Sequence, residues 1–300
     1  MTETHSRLHS QRLRIGMVQW KMRPVSDWAS FFESTAHQVR ALANQGADFV
    51  VFPEYFAMPL VLLAPENTDE MAQLRWLAQR ANLIRDHFRA LAQQYQIYLV
   101  AGSTLALQAD DELRNVCFFC HPDGKVEEYH KLHLTPWEAG YWSVRPGQRP
   151  GVFDTRFGKV AVCICYDVEF PELTRLYALE GVRIIFVPFS TDSEQGYYRV
   201  RHCAQARAVE NECFVALSGC VGNLPRVPHV EFQFGQAALL TPSDYGFPPK
   251  GTQIEAPVNQ DVGLITEIDL SALEHVRTHG SVRNLRDRRP ELYQLGWMGA

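Results

Sequence analysis

Two periodicities alternate along the chain. Apolar residues three and four apart mark helices, and short apolar runs between turn residues mark buried strands. Arg14 to Gln19 opens as a strand. From Asp27 to Asn44, the residues Trp28, Phe31, Phe32, Thr35, Val39 and Leu42 fall on one helical face, and Gly46 stops the run. Ala47 to Pro53 is a short apolar strand whose pattern predicts cover on both faces. Arg80 to Tyr95 is a second amphipathic helix, with Leu83, Ile84, Phe88 and Leu91 turned inward, and Ile97 to Ser103 a further strand.

The middle of the chain is richer in strands. Asn115 to His121 and Lys125 to Lys131 flank Pro122-Asp123-Gly124 and predict a hairpin. Val152 to Thr155 and Lys159 to Cys165 predict another around Arg156-Phe157-Gly158. Pro171 suits the first turn of a helix and Gly181 its end. A strand over Val182–Phe189, a helix over Gly196–Glu212 and strands over Cys213–Gly219, Gln236–Thr241 and Gly263–Asp269 complete the pattern. No repeat or break in composition divides the chain. The expectation is one α/β domain over 13–275, between a polar tail (1–12) and a C-terminal arm (276–300) containing Pro, Gly and charge. The hairpins argue against a purely parallel doubly wound sheet.

Composition narrows the class. The 300 residues are 46% hydrophobic and 21% charged, an ordinary globular balance with room for a sizeable core. A net charge of -5, with no basic block beyond Arg286–Arg289, argues against nucleic acid as a partner. No apolar run approaches the roughly 20 residues of a membrane span, and Met1 to Arg14 has no signal-peptide core. The chain is therefore expected in the cytoplasm, with no membrane partner and no disulfide framework. Its seven cysteines are an odd number and sit mostly in apolar runs.

Among them, Cys165 ends the apolar strand Ala161-Val-Cys-Ile-Cys165, where the chain turns toward a Pro-started helix. A thiol there can sit at a sheet's carboxyl edge, near a helix N-terminus that lowers its pKa. Cys163 shares its parity but lies deeper, as a core thiol would. Glu54 likewise ends a strand, and a carboxylate just beyond so apolar a run is open to desolvation, which makes it a stronger base. Lys131, in Tyr129-His-Lys131-Leu-His133, could hold a developing oxyanion, and Glu138 is a further candidate. Taken singly, each also fits a bland role: core thiol, loop glutamate, surface lysine. Cys117-Phe-Phe-Cys120-His121 matches a haem-attachment spacing, but on a strand the two thiols would face opposite sides. No second ligand pair supports zinc.

Three ordered segments together resemble the nitrilase superfamily of carbon–nitrogen hydrolases. They are Phe52-Pro-Glu54-Tyr55, Tyr129-His-Lys131-Leu-His133 and Ile164-Cys165-Tyr166-Asp167 running on to Phe170-Pro-Glu172. Arg175, Pro188-Phe189-Ser190 and Gln205-Ala-Arg207-Ala-Val-Glu210-Asn211 extend the likeness, which covers about Arg14 to Asp269. The resemblance implies a four-layer αββα sandwich that assembles into homodimers or larger homo-oligomers. It implies Glu54 as base, Lys131 as electrostatic partner, Cys165 as nucleophile and Glu138 as a positioning glutamate, with no cofactor and no metal. The helix after Cys165 would lie at the subunit interface, and the C-terminal arm would reach the partner. Tyr166-Asp167 after the cysteine resembles the amidase-like branches, and the chain resembles the hydrolase domain fused to acetyltransferases in some bacteria. It departs from the family near Gly235-Gln-Ala237-Ala, where many members have serine for Ala237, and in the turn Pro242–Gly246. That departure bears on a pocket wall.

The expected reaction is hydrolysis of a small amide or N-carbamoyl compound through a Cys165 thioester. Tyr55, Trp137, Tyr166 and Phe189 are candidate substrate-binding residues, with Tyr141 and Trp142 beside them. Four alternatives stay open: nitrile hydrolysis, acyl transfer to an amine, a Cys–His enzyme using His130 or His133, and a non-catalytic binding protein on the same fold.

Overall fold

The computed structural model describes residues 12–227 and 230–298. The predicted tail lies outside the described residues except for Arg12. There β1 (Arg12–Met22) begins, and α1 (Trp28–Ala43) follows with Asp27 as its cap. The Asp27 carboxylate accepts from Ser30 N at 2.7 Å, satisfying one of the amide groups that a helix start leaves free. Next come β2 (Phe49–Val51), a 3-10 turn at Met58–Leu63, α2 (Glu70–Ala78), α3 (Ala81–Tyr95), β3 (Tyr98–Val100) and β4 (Thr104–Leu107). The first hairpin is β5 (Leu113–Cys120) and β6 (Val126–His130); the single turn α4 (Pro136–Gly140) leads to the second, β7 (Val152–Thr155) and β8 (Gly158–Val162). Then follow α5 (Pro171–Leu179), β9 (Ile184–Phe189), α6 (Glu194–Glu210), β10 (Phe214–Asn223), β11 (Phe232–Gln233), β12 (Ala238–Leu240), β13 (Thr252–Glu255), β14 (Val262–Asp269) and α7 (Leu270–His279).

One sheet holds β4, β5, β3, β2, β1 and β14, with β6 also on β5. The other holds β7, β8, β9, β10, β12 and β13. They join where the end of β1 pairs in parallel with the end of β10, Trp20 opposite Cys220. The pleat divides the apolar residues of β2 between two cores. Phe49 and Val51 point between the sheets, meeting Val160, Val162 and Phe186 of the second sheet. Val50 and Phe52 point outward under α1 and α3, against Phe31, Val39, Leu42, Ile84 and Phe88. On the far side, α5 and α6 cover the second sheet with Leu173, Tyr177, Val200, Ala204 and Ala208. The order is helix, sheet, sheet, helix: the expected αββα sandwich. Cys117 and Cys120 fall in different cores, as a strand requires and a haem-attachment site does not.

The departures are local. Leu83 is exposed, because the buried stripe of α3 runs through Ala81, Ile84, Phe88, Leu91 and Ala92. β2 is shorter than 47–53, since Pro53 has no N–H for a ladder. α6 begins two residues before Gly196, with Ser193 capping the Gly196 amide at 3.2 Å. α2, α4, β4, β13 and α7 lay outside the periodic pattern. After α7, which crosses position 275, residues 281–298 contain no helix or strand, and Trp297 donates to Glu180, the residue that ends α5, at 2.7 Å. Among the described residues no helix is long and apolar enough to cross a membrane.

Candidate active site

Glu54, Cys165 and Ser190 stand just past the carboxyl ends of β2, β8 and β9, each a member of a parallel pair. Open α/β sheets gather ligands at that edge. Glu54 forms a lone parallel bridge to Ser103. Gly102 makes the approach possible: a Cβ there would lie 2.0 Å from the Pro53 carbonyl oxygen, and its φ is +51°. Tyr55 and Cys165 also adopt left-handed backbone, at φ 55° and 47°, a conformation costly for side chains of their kind. Cys165 opens a 3-10 turn, Cys165–Glu169, so the helix proper starts six residues later at Pro171. The expected thiol-lowering helix terminus is therefore not at the sulfur.

Lys131 lies one residue beyond β6, with its N–H on the Asn115 carbonyl at 2.9 Å and its own carbonyl accepting from Gly147 at 2.8 Å. Its ammonium is 1% exposed and sits between two carboxylates, 2.8 Å from Glu54 Oε1 and 2.8 Å from Glu138 Oε2. Asn115 Nδ2 ties the same two carboxylates together, at 3.0 Å from Glu54 and 2.9 Å from Glu138. The two glutamates are served unequally. Glu138 also accepts from Tyr55 OH (2.6 Å) and from Thr135 N and Oγ1 (2.9 and 3.0 Å). Glu54 accepts from the Ser190 amide, at 3.1 Å, and is hydrogen-bonded to the Cys165 thiol.

That inequality separates their titrations. Burial pushes Glu54 up to about 7; the Lys131 charge opposes this and the Glu138 charge reinforces it. Burial acts on Glu138 in the same direction, but the Lys131 charge and the bonds from Lys131 and Tyr55 outweigh it and hold the carboxyl below its ordinary value. Burial disfavours the Lys131 ammonium, yet its two carboxylates keep it protonated well above the usual range. Burial, then the Glu54 charge, raise the Cys165 thiol well above its ordinary value, against the pull of Lys131. The resting site thus holds a neutral thiol, a carboxyl titrating near neutrality and a permanent ammonium. Carboxyl pairs driven apart in this way divide acid–base work between them.

These groups share a cleft of about 200 Å³ with Tyr55, Trp137, Trp142, Tyr166, Val200 and Val230 on its walls and Glu169, Asp192 and Arg199 among its charged lining. Of the candidate substrate residues, Tyr55, Trp137 and Tyr166 line it, although Tyr55 spends its hydroxyl on Glu138. Phe189 does not: it is fully buried on β9, packed against Tyr197 and over Gly219. Trp142 lines the cleft, whereas Tyr141 is 66% exposed and stacks on Trp137. Ala237 is fully buried, with its N–H on Gln19, and forms no part of the wall. His130 pairs with Glu128 and His133 with Asp167, so neither imidazole is on the sulfur.

Sequence reasoning passed over Asn115, Ser190 and Thr135. Asn115 is a fully buried amide at the head of the apolar run Val116–Cys120, a pattern that asks for a partner. Thr135-Pro-Trp-Glu138 is a visible capping box, and it fixes Glu138 against the first turn of α4. Ser190 acts through its main chain, with its carbonyl 3.9 Å from Cys165 Sγ, so its identity carries no signal.

A family model for carbon–nitrogen hydrolases matches residues 14–246. A "probable hydrolase YhcX" from Bacillus subtilis is 37% identical over 283 residues, which are 94% of this chain and 55% of that protein. The chain thus spans about half the length of that relative. The omega-amidase NIT2-A of Xenopus laevis is 26% identical over 95% of this chain and 98% of its own. Among solved structures, the carbon–nitrogen hydrolase of Helicobacter pylori G27 matches with a TM-score of 0.77 at 22% identity, covering 95% of this chain and 98% of that one. Saccharomyces cerevisiae Nit3, a nitrilase-superfamily member, matches at 0.72 and 23%, covering 91% and 96%. The chain belongs to the carbon–nitrogen hydrolase family.

Proposed function

We propose that the chain hydrolyses a small amide through a thioester on Cys165. The observation that carries this reading is the neutral thiol set beside a carboxyl titrating near 7, with one ammonium fixed between the two glutamates. Glu54 takes the Sγ proton as sulfur bonds to the amide carbon. The carbonyl electrons move onto oxygen, where Lys131 and the Tyr166 backbone N–H hold them; such a donor is typically worth about 3 kcal/mol. The tetrahedral carbon collapses, the C–N bond breaks, and Glu54 returns its proton to the departing nitrogen. Water, deprotonated by Glu54, then attacks the thioester; the C–S bond breaks, Glu54 returns its proton to Sγ, and a carboxylic acid leaves. Glu138 keeps Lys131 charged and in place throughout.

A cleft of about 200 Å³ suits a small substrate. Arg199 adds a direction. Glu169 engages its Nε at 3.0 Å, and the guanidinium carries further N–H groups beyond that one. An amide with a carboxylate at its far end fits a cleft that has sulfur at one end and this guanidinium in its lining. Relatives named omega-amidase and 2-oxoglutaramate amidase support an amide over a nitrile. The family likeness also supports a homodimer or larger assembly on α5 and α6, where Leu179 and Tyr198 are exposed.

The test is ammonia release from a panel of short linear amides, neutral and carboxylated, by wild type and Cys165→Ala. The reading expects release by wild type only, with carboxylated amides turned over more efficiently. Release undiminished in Cys165→Ala, or none from any amide in the panel, contradicts it.

A further inference from the structure

Beside the cleft, and outside it, lies a fully buried carboxylate. Asp167 has no exposed surface, and among the described residues no arginine or lysine is bonded to it. Its charge is met by four donors. Oδ2 accepts from Ile164 N at 3.0 Å and Tyr129 OH at 2.8 Å; Oδ1 accepts from His133 N at 2.8 Å and faces His133 Nδ1 at 2.9 Å. A buried carboxylate is costly unless its lone pairs are filled in this manner.

The addresses of those donors matter more than their number. Ile164 immediately precedes Cys165. Tyr129 and His133 stand two residues either side of Lys131. One carboxylate group therefore ties the nucleophile turn in the second sheet to the lysine segment that follows a strand of the first. The turn it holds is the one in which Cys165 takes left-handed backbone, at φ 47°. The lysine segment has its own hydrogen bonds to Asn115 and Gly147, but these do not fix it relative to the sulfur.

We propose that Asp167 is a positioning residue. It sets the spacing between the sulfur and the two oxyanion donors, Lys131 Nζ and the Tyr166 amide, without touching substrate. The inference rests on the thioester reading above. Asparagine at this position keeps the shape but turns one acceptor oxygen into an NH₂ group, which faces N–H or O–H donors on whichever side it lies. One of the two tethers is then lost while every cleft-lining side chain stays. Misplacement by about 1 Å at a reacting centre costs on the order of 100-fold in rate.

The experiment measures single-turnover acylation of Cys165 by an amide from the panel, read by intact mass. A parallel measurement follows alkylation of the same thiol by iodoacetamide. Both are normalised to the folded fraction found by calorimetry. For Asp167→Asn the expectation is acylation slowed about 100-fold per folded site. KM should change less than about threefold and alkylation less than about fivefold, because alkylation needs no oxyanion donors. A merely structural role predicts a lower Tm with acylation per folded site unchanged, and that result overturns the proposal. Should Asp167→Asn not fold, Tyr129→Phe decides, since it removes one donor from Oδ2. Acylation slowed about tenfold or more sustains the proposal, and an unchanged rate overturns it. Absence of an acyl adduct in wild type would instead remove the thioester reading, a separable failure.

Discussion

Glu54 and Glu138 are chemically the same residue type, 2.8 Å from the same ammonium, yet they titrate apart because one receives more donors than the other. The pH dependence follows from this. Glu54 must be ionised to take the thiol proton, so kcat/KM should fall about tenfold per unit as pH drops below about 7. Glu54→Gln should lower kcat about 1,000-fold and abolish that limb. The same group has a stability consequence of opposite value to the enzyme. Its carboxyl is raised from 4.5 to about 7 on folding, so the folded state binds the proton more tightly. Stability is therefore lost as pH rises from about 4.5 to about 7, by on the order of 3 kcal/mol. Glu54→Gln removes that loss, and calorimetry at pH 8 should find its Tm equal to or above wild type. A lower Tm would mean that the ionised Glu54 is a net stabiliser of the fold.

At the scale of elements, the site depends on where strands stop. β2 ends at Val51, and Gly102 lets the next turn of chain close against Pro53 so that Glu54 meets Ser103. Gly102→Ala places a methyl 2.0 Å from a carbonyl oxygen in a backbone region alanine avoids. It should cost about 2 kcal/mol or more, read as a lower urea midpoint, and what remains folded should turn over poorly. An unchanged midpoint would show that the loop can move away without loss. The positions of Glu54 and Cys165 beyond strand carboxyl ends were legible in the sequence, although the ladders stop at Val51 and Val162 rather than at Pro53 and Cys165. The helices with strong stripes, α1 and α3, were legible as well. Short or weakly patterned elements, such as the five-residue α4 and the four-residue β13, were not, since their stability comes from packing rather than from their own periodicity. Asn115 and Ser190 were given no role, because one looks like the polar start of a strand and the other, matched only as part of the family likeness, works through its backbone. Phe189 was a candidate for the cleft as one of several aromatic residues near the matched segments. The period of two turns it the other way, into the core.

For the whole molecule, the reacting groups come from both sheets: Glu54 and Lys131 from the first, Cys165 and Ser190 from the second. Catalysis therefore requires the two inner faces to stay packed. Phe49 and Phe186 meet across that interface with ring centroids 5.2 Å apart, and both are fully buried. Phe186→Ala should cost about 3–5 kcal/mol, and activity and secondary structure should be lost together along a urea titration. Activity vanishing well before the circular dichroism signal would show that the site opens independently of the sheets.

The thioester on Cys165 is the claim on which the mechanism turns. Intact-mass analysis of wild type, quenched in acid within seconds of mixing with a substrate amide and followed by peptide mapping, reads it directly. We expect one acyl group on the peptide carrying Cys165 and none in Cys165→Ala. An adduct on another residue, or turnover with no adduct and full activity in Cys165→Ala, would contradict it.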